Sequence, residues 1–104
     1  GIIRSKMGRS RRVGDGKMAS NSTLAAYKDH FTYTFILEGE VASIYFDRGR
    51  REIFFRGHNI AHMDLSSAQR NSLLMLPDVF AQDESVMDLL PEYMATLGAI
   101  FADK

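Results

Sequence analysis

The stretch FFRGHNIAHMDLSS, from Phe54 to Ser67, places His58 and His62 four residues apart, with Asp64 two residues further on. Two imidazoles at i and i+4 on one helical face can share a metal ion, as in H-E-x-x-H, where the glutamate serves as general base. Here the residue after the first histidine is Asn59, so that base is missing. Gly57 precedes His58, and the segment reads as leaving a strand rather than opening a helix. In an extended chain the two rings lie on one side about 13 Å apart, from a rise of roughly 3.3 Å per residue. That is too far to share one ion. Asp64 and His30 complete a three-histidine, one-carboxylate set only where folding brings all four together. The expected role is a strand-end connector, and a metal-assisted or acid–base enzyme at His58, His62 and Asp64 is the third functional reading below.

Other chemistry finds less support. The chain has no cysteine, which excludes a disulfide scaffold, a thiolate metal site and a cysteine nucleophile. It carries no G-x-S-x-G and no glycine loop between a strand and a helix that would cradle phosphate. Asp29 and His30 are neighbours in sequence, which is not a spacing expected to let a carboxylate orient an imidazole. Asp83, Glu84 and Asp88 read as the solvated start of a helix, where the macrodipole favours negative charge. No catalytic residue, metal or cofactor is therefore expected, and the chain is not expected to be an enzyme.

The net charge of zero hides an asymmetry. Residues 1–17 hold six basic groups against Asp15, a net of +5, and residues 18–104 carry the opposing −5. Arg48, Arg50 and Arg51 add a basic cluster further along. Such groups can neutralise phosphates, and neighbouring aromatics can stack on bases. Against this, REIFFRG does not match an RNA-recognition motif, and the body of the chain is acidic.

The elements that must position these groups follow from periodicity. Residues 1–23 lack it and are rich in Gly, Ser, Arg and Lys, which predicts a flexible basic tail. MASNST from Met18 resembles a natural start, so residues up to 17 read equally as an added or upstream-translated stretch. Residues 24–104 form the expected single domain. No apolar run approaches membrane-spanning length, and GIIRSKMGRS lacks the apolar centre of a secretory signal. With no cysteine, this suits the cytoplasm.

FTYTFILE alternates strictly between apolar and mixed positions. Three strands, about 31–38, 40–47 and 51–57, are expected as an antiparallel meander. The loop at Glu38-Gly39 sets Phe35 opposite Ala42, Tyr33 opposite Ile44 and Phe31 opposite Phe46. A second turn centred on Arg48-Gly49 sets Ile44 opposite Ile53 and Ala42 opposite Phe55. A one-residue slip would bring Glu52 into the apolar face. SSAQ at 66–69 fits a capping box for a first helix, and Pro77 is expected to end that helix near Leu76. Leu90, Met94, Leu97 and Phe101 mark a second helix, with Pro91 in its first turn. Met63, Met75, Met87 and Met94 are expected to fill gaps in the core. The result is an α+β domain of two layers, with two C-terminal helices packed on one face of the sheet.

That register turns Ile36, Val41, Tyr45 and Phe54 away from the core. Exposed apolar patches mark contact surfaces, and aromatics make good anchors. The expected function is a small non-catalytic protein-interaction module, self-associating in its simplest form. Tyr45 and Phe54 would be its anchors, Ile36 and Val41 would lie beside them, and Arg48, Arg50 and Arg51 would form a polar rim or steer an acidic partner. The alternative is a nucleic-acid-associated protein using the basic tail and the arginine-rich hairpin tip.

Overall fold

Alternating burial runs through the strands between residues 22 and 55 and fixes which side of each faces inward. A computed structural model describes residues 9–13 and 22–103, the first of these segments by its backbone alone. It contains strands β1 (Arg9–Val13), β2 (Ser22–Ala26), β3 (His30–Leu37), β4 (Glu40–Asp47), β5 (Glu52–Phe55) and the two-residue β6 (His58–Asn59). A short 3-10 helix, Ile60–His62, follows, and then helices α1 (Ser67–Val79) and α2 (Leu90–Asp103). The class is α+β. The strands form one antiparallel sheet in the order β1-β2-β3-β4-β5-β6.

The expected three-strand meander is therefore an undercount. Two parts of the segment read as a tail, Arg9–Val13 and the start of β2 at Ser22, are strands. Otherwise that reading lies outside the described residues. β2 pairs with β3 and β6 pairs with the end of β5, so neither outer strand of the expected meander is left as a bare edge.

The first hairpin has the expected register, with Phe35 opposite Ala42 and Phe31 opposite Phe46. Its two-residue turn, Glu38-Gly39, holds both residues at positive φ, as a type I′ turn requires. The second hairpin differs by two residues: Ile44 faces Phe55 and Phe46 faces Ile53. The Asp47 carboxylate accepts the Arg50 N–H at 3.1 Å, and Arg51 takes a φ of 57°, so the loop spans four residues instead of two. A shift of two keeps side-chain parity, and the inward face survives. The third expected strand stops at Phe55, because Arg56-Gly57 repeats the positive-φ pair and starts another hairpin.

The core lies between the sheet and both helices. Tyr93 of α2 packs against Phe31 and Phe46, with ring centroids 5.6 Å from each. Phe80 meets Tyr33 edge-on at 4.9 Å. Leu73 and Leu76 of α1 and Leu97 of α2 are fully buried with them. The α1 capping box forms as expected: Ser66 Oγ accepts from the Gln69 N–H, and Gln69 Oε1 accepts from the Ser66 N–H.

Pro77 does not end α1. The helix runs to Val79, with the proline in its last turn. Proline cannot supply the N–H that the Leu73 carbonyl would receive in a regular helix. Tyr93 supplies a donor instead, its hydroxyl bonding to that carbonyl at 2.7 Å.

In α2 the buried positions are Tyr93, Thr96 and Leu97, with Leu90, Ile100 and Phe101 partly buried. Met94, expected in the core, is 42% exposed, and Met75 and Met87 are 52% and 48% exposed. Of the four methionines assigned to the core, only Met63 packs against it. Among the described residues, no helix is long and apolar enough to cross a membrane.

Candidate interaction surface

Both helices pack on one face of the sheet, so the other face has no covering helix among the described residues. Parity brings Thr32, Thr34 and Ile36 of β3, Val41, Ser43, Tyr45 and Asp47 of β4, and Glu52 and Phe54 of β5 to this outer face.

Tyr45 and Phe54 sit directly opposite each other, with ring centroids 5.8 Å apart. Two further rings extend the pair. His30 lies diagonally across from Tyr45 at 5.8 Å. Tyr27 stacks on His30 at 4.7 Å with only 11° between the planes. A tight turn brings these two together, in which the Tyr27 N–H donates to the His30 carbonyl at 2.8 Å. The four rings cross three inter-strand steps, roughly 14 Å at the usual strand spacing.

Sequence reasoning missed Tyr27 and His30. It placed no strand before residue 31, because Ser22–Ala26 offers only Leu24 as a large inward residue. It also discounted the pairing of Asp29 with His30. In fact His30 Nδ1 lies 2.7 Å from Asp29 Oδ1. That hydrogen bond is the main reason the exposed Asp29 carboxyl is held below its ordinary value of 3.8. Adjacent residues can pair here because both sit at the mouth of a turn, where the backbone no longer sends successive side chains to opposite faces.

Tyr45 feels this surrounding charge. Its phenol is pushed above the ordinary value of 10, first by partial burial and then by the nearby carboxylates of Asp47 and Asp29.

Ile36 and Val41 also face one another on the outer side, as expected. They do not join the aromatic run. Val41 lies four residues from Tyr45 along β4, about 13 Å away, with Ser43 and Thr34 between. Ile36 instead borders an open cleft of about 230 Å³ between the first hairpin and α1, where Leu37, Met75 and Val79 also contribute.

The arginines do not form one rim. Arg48 reaches Glu92 of α2 at 3.3 Å. Arg51 lines a cavity of about 320 Å³ beside Glu92, Thr96 and Ile100. Arg50 stays exposed, 4.0 Å from Glu52.

The opening histidines are spread along the chain. His58 pairs with Phe55 in β6, and His62 ends the 3-10 helix. Asn59, in the position where a general base was sought, caps that helix by accepting the Ala61 N–H at 2.9 Å. His58, His62 and Asp64 are all exposed. Among the described residues, no three His, Asp or Glu groups gather closely enough to hold a metal ion.

No protein-family model matches this chain, and no match emerges among curated proteins or solved structures.

Proposed function

We propose that this chain is a small non-catalytic protein-interaction module, cytoplasmic, that engages its partner through the outer face of the sheet. A second copy of the chain is the simplest partner, since two-fold pairing needs only one self-complementary patch. The observation that carries this reading is the aromatic run of Tyr27, His30, Tyr45 and Phe54 on the face opposite both helices. Aromatic side chains give large contact area with few torsions to freeze. Tyr45 and Phe54 are the anchors, because each is braced by the other and by the strands on either side.

The nucleic-acid reading has less behind it. Arg48 is engaged by Glu92 and Arg56 by Glu40, at 2.9 Å, so part of the basic charge outside residues 1–17 is already partnered.

Sedimentation velocity across a concentration series tests the proposal. The wild-type chain should associate. Tyr45→Ala and Phe54→Ala should each weaken association by about 30-fold, on a hot-spot scale of about 2 kcal/mol per anchor, and the double variant by more. Circular dichroism should show that the variant remains folded. Association with unchanged affinity in the double variant would end this reading.

A further inference from the structure

We propose that the aromatic run and the carboxylates at its end form a seat for an arginine side chain, presented by a basic segment of a separate protein partner. This rests on the reading that the outer sheet face is a contact surface, and it adds the chemistry of what is contacted.

The rings supply the floor. Tyr27, His30, Tyr45 and Phe54 follow one another across the sheet at centroid separations of 4.7, 5.8 and 5.8 Å. The face of a tyrosine or phenylalanine ring is the negative end of its quadrupole and attracts a cation laid over it. A guanidinium is planar and weakly hydrated, so it stacks there better than an ammonium.

The carboxylates supply the charge. Asp47 stands directly opposite His30 on one side and Glu52 on the other. Two acids facing each other across a strand pair repel, and a cation between them relieves that. Asp29 adds a third carboxylate beside His30. Among the described side chains, the flanking turns add Lys28, before His30, and Arg50, whose guanidinium comes only to 4.0 Å from Glu52. Arg48 and Arg51, which would have neutralised this end, are placed instead beside Glu92 of α2. Residues 18–104 carry a net −5, and the basic groups that offset it lie in residues 1–17.

Fluorescence polarisation with a labelled nine-residue arginine-rich peptide tests the seat on the full chain. The controls are a lysine peptide and an uncharged serine–leucine peptide of equal length. Three variants accompany the wild type: Tyr45→Ala, Tyr45→Phe and the isosteric triple Asp29→Asn, Asp47→Asn, Glu52→Gln. The side-chain amide introduced at position 47 keeps an oxygen to accept the Arg50 N–H, so the loop is preserved. The arginine peptide should bind, the lysine peptide more weakly and the uncharged peptide not at all. Tyr45→Ala and the triple variant should each weaken arginine binding about tenfold or more, while Tyr45→Phe, which keeps the ring, should retain it.

No binding of the arginine peptide at low salt would overturn the seat. So would binding that Tyr45→Ala leaves unchanged, which would show diffuse attraction only. Equal binding of the uncharged peptide would overturn the seat as well. Loss of self-association in the triple carboxylate variant would make the second copy the source of the basic segment and overturn the separate partner. If the seat fails while the Tyr45 and Phe54 double variant still weakens self-association, the interaction-module reading stands without it.

Discussion

Replacing Tyr93 with phenylalanine takes one hydroxyl from the buried boundary between α1 and α2 and leaves the ring packing in place. That hydroxyl donates at 2.7 Å to the carbonyl of Leu73, whose regular donor four residues on is replaced by Pro77. Both Leu73 and Tyr93 are 0% exposed, so water cannot take over the bond. A buried carbonyl left without a partner costs about 1–3 kcal/mol. Tyr93→Phe should therefore lower stability by about 2 kcal/mol, read from urea unfolding followed by circular dichroism. At roughly 4–8 °C per kcal/mol, the melting temperature should fall by about 8–16 °C. A double-mutant cycle isolates the cause. Pro77→Ala restores a backbone N–H aimed at the same carbonyl, so Tyr93→Phe in that background should cost less than about 0.5 kcal/mol. The coupling between the two sites should exceed about 1 kcal/mol. An equal cost of Tyr93→Phe in both backgrounds, or a negligible cost in the wild type, would refute the reasoning.

Glu38 holds a φ of 54° in the first hairpin turn, a conformation that asparagine tolerates better than glutamate. Glu38→Asn should raise the urea midpoint, with a gain of about 0.5–1 kcal/mol, and an unchanged or lower midpoint counts against strain at that turn. Alkaline pH should destabilise the fold. Tyr45 and Tyr93 both have phenols raised above the ordinary 10, Tyr93 because burial disfavours its ionised form. Unfolded phenols therefore ionise first, so this contribution is whole below about pH 10 and is lost as pH rises beyond it. Absorbance at 295 nm should show that Tyr93 ionises only as the circular dichroism signal collapses. Ionisation of all four tyrosines with native dichroism intact would contradict that.

The hairpin of β3 and β4 was legible because every local signal agreed: strict alternation, a glycine in a two-residue turn and a face that one slip would ruin. The next hairpin was legible in parity but not in register. A single side chain, Asp47, captures a backbone N–H and lengthens the loop, and composition does not reveal that bond. Arg56-Gly57 reads as strand although it repeats the Glu38-Gly39 pattern. β2 was not legible because small residues at Ser22, Ala25 and Ala26 blur its alternation. Pro77 misleads because local propensity forbids what a tertiary hydrogen bond from Tyr93 makes tolerable. Met94 is drawn into the core by a helical frame set one residue late. The observed frame turns Tyr93 inward, where its hydroxyl has a partner. On the outer face, the Tyr45–Phe54 pair follows from parity. The continuation through His30 and Tyr27 depends on a tight turn, which periodicity does not detect.

The strand order has a kinetic consequence. Each strand bonds to its immediate neighbours in the chain, and the described loops between strands span only two to four residues. No strand of this sheet waits for a distant segment to insert beside it. From β2 onward each pairing closes a short loop, so the entropy lost before the first native contacts is small. A mixed fold built this way belongs nearer the millisecond than the second range of folding times. The distant contacts left to form are those between the finished sheet and the two helices.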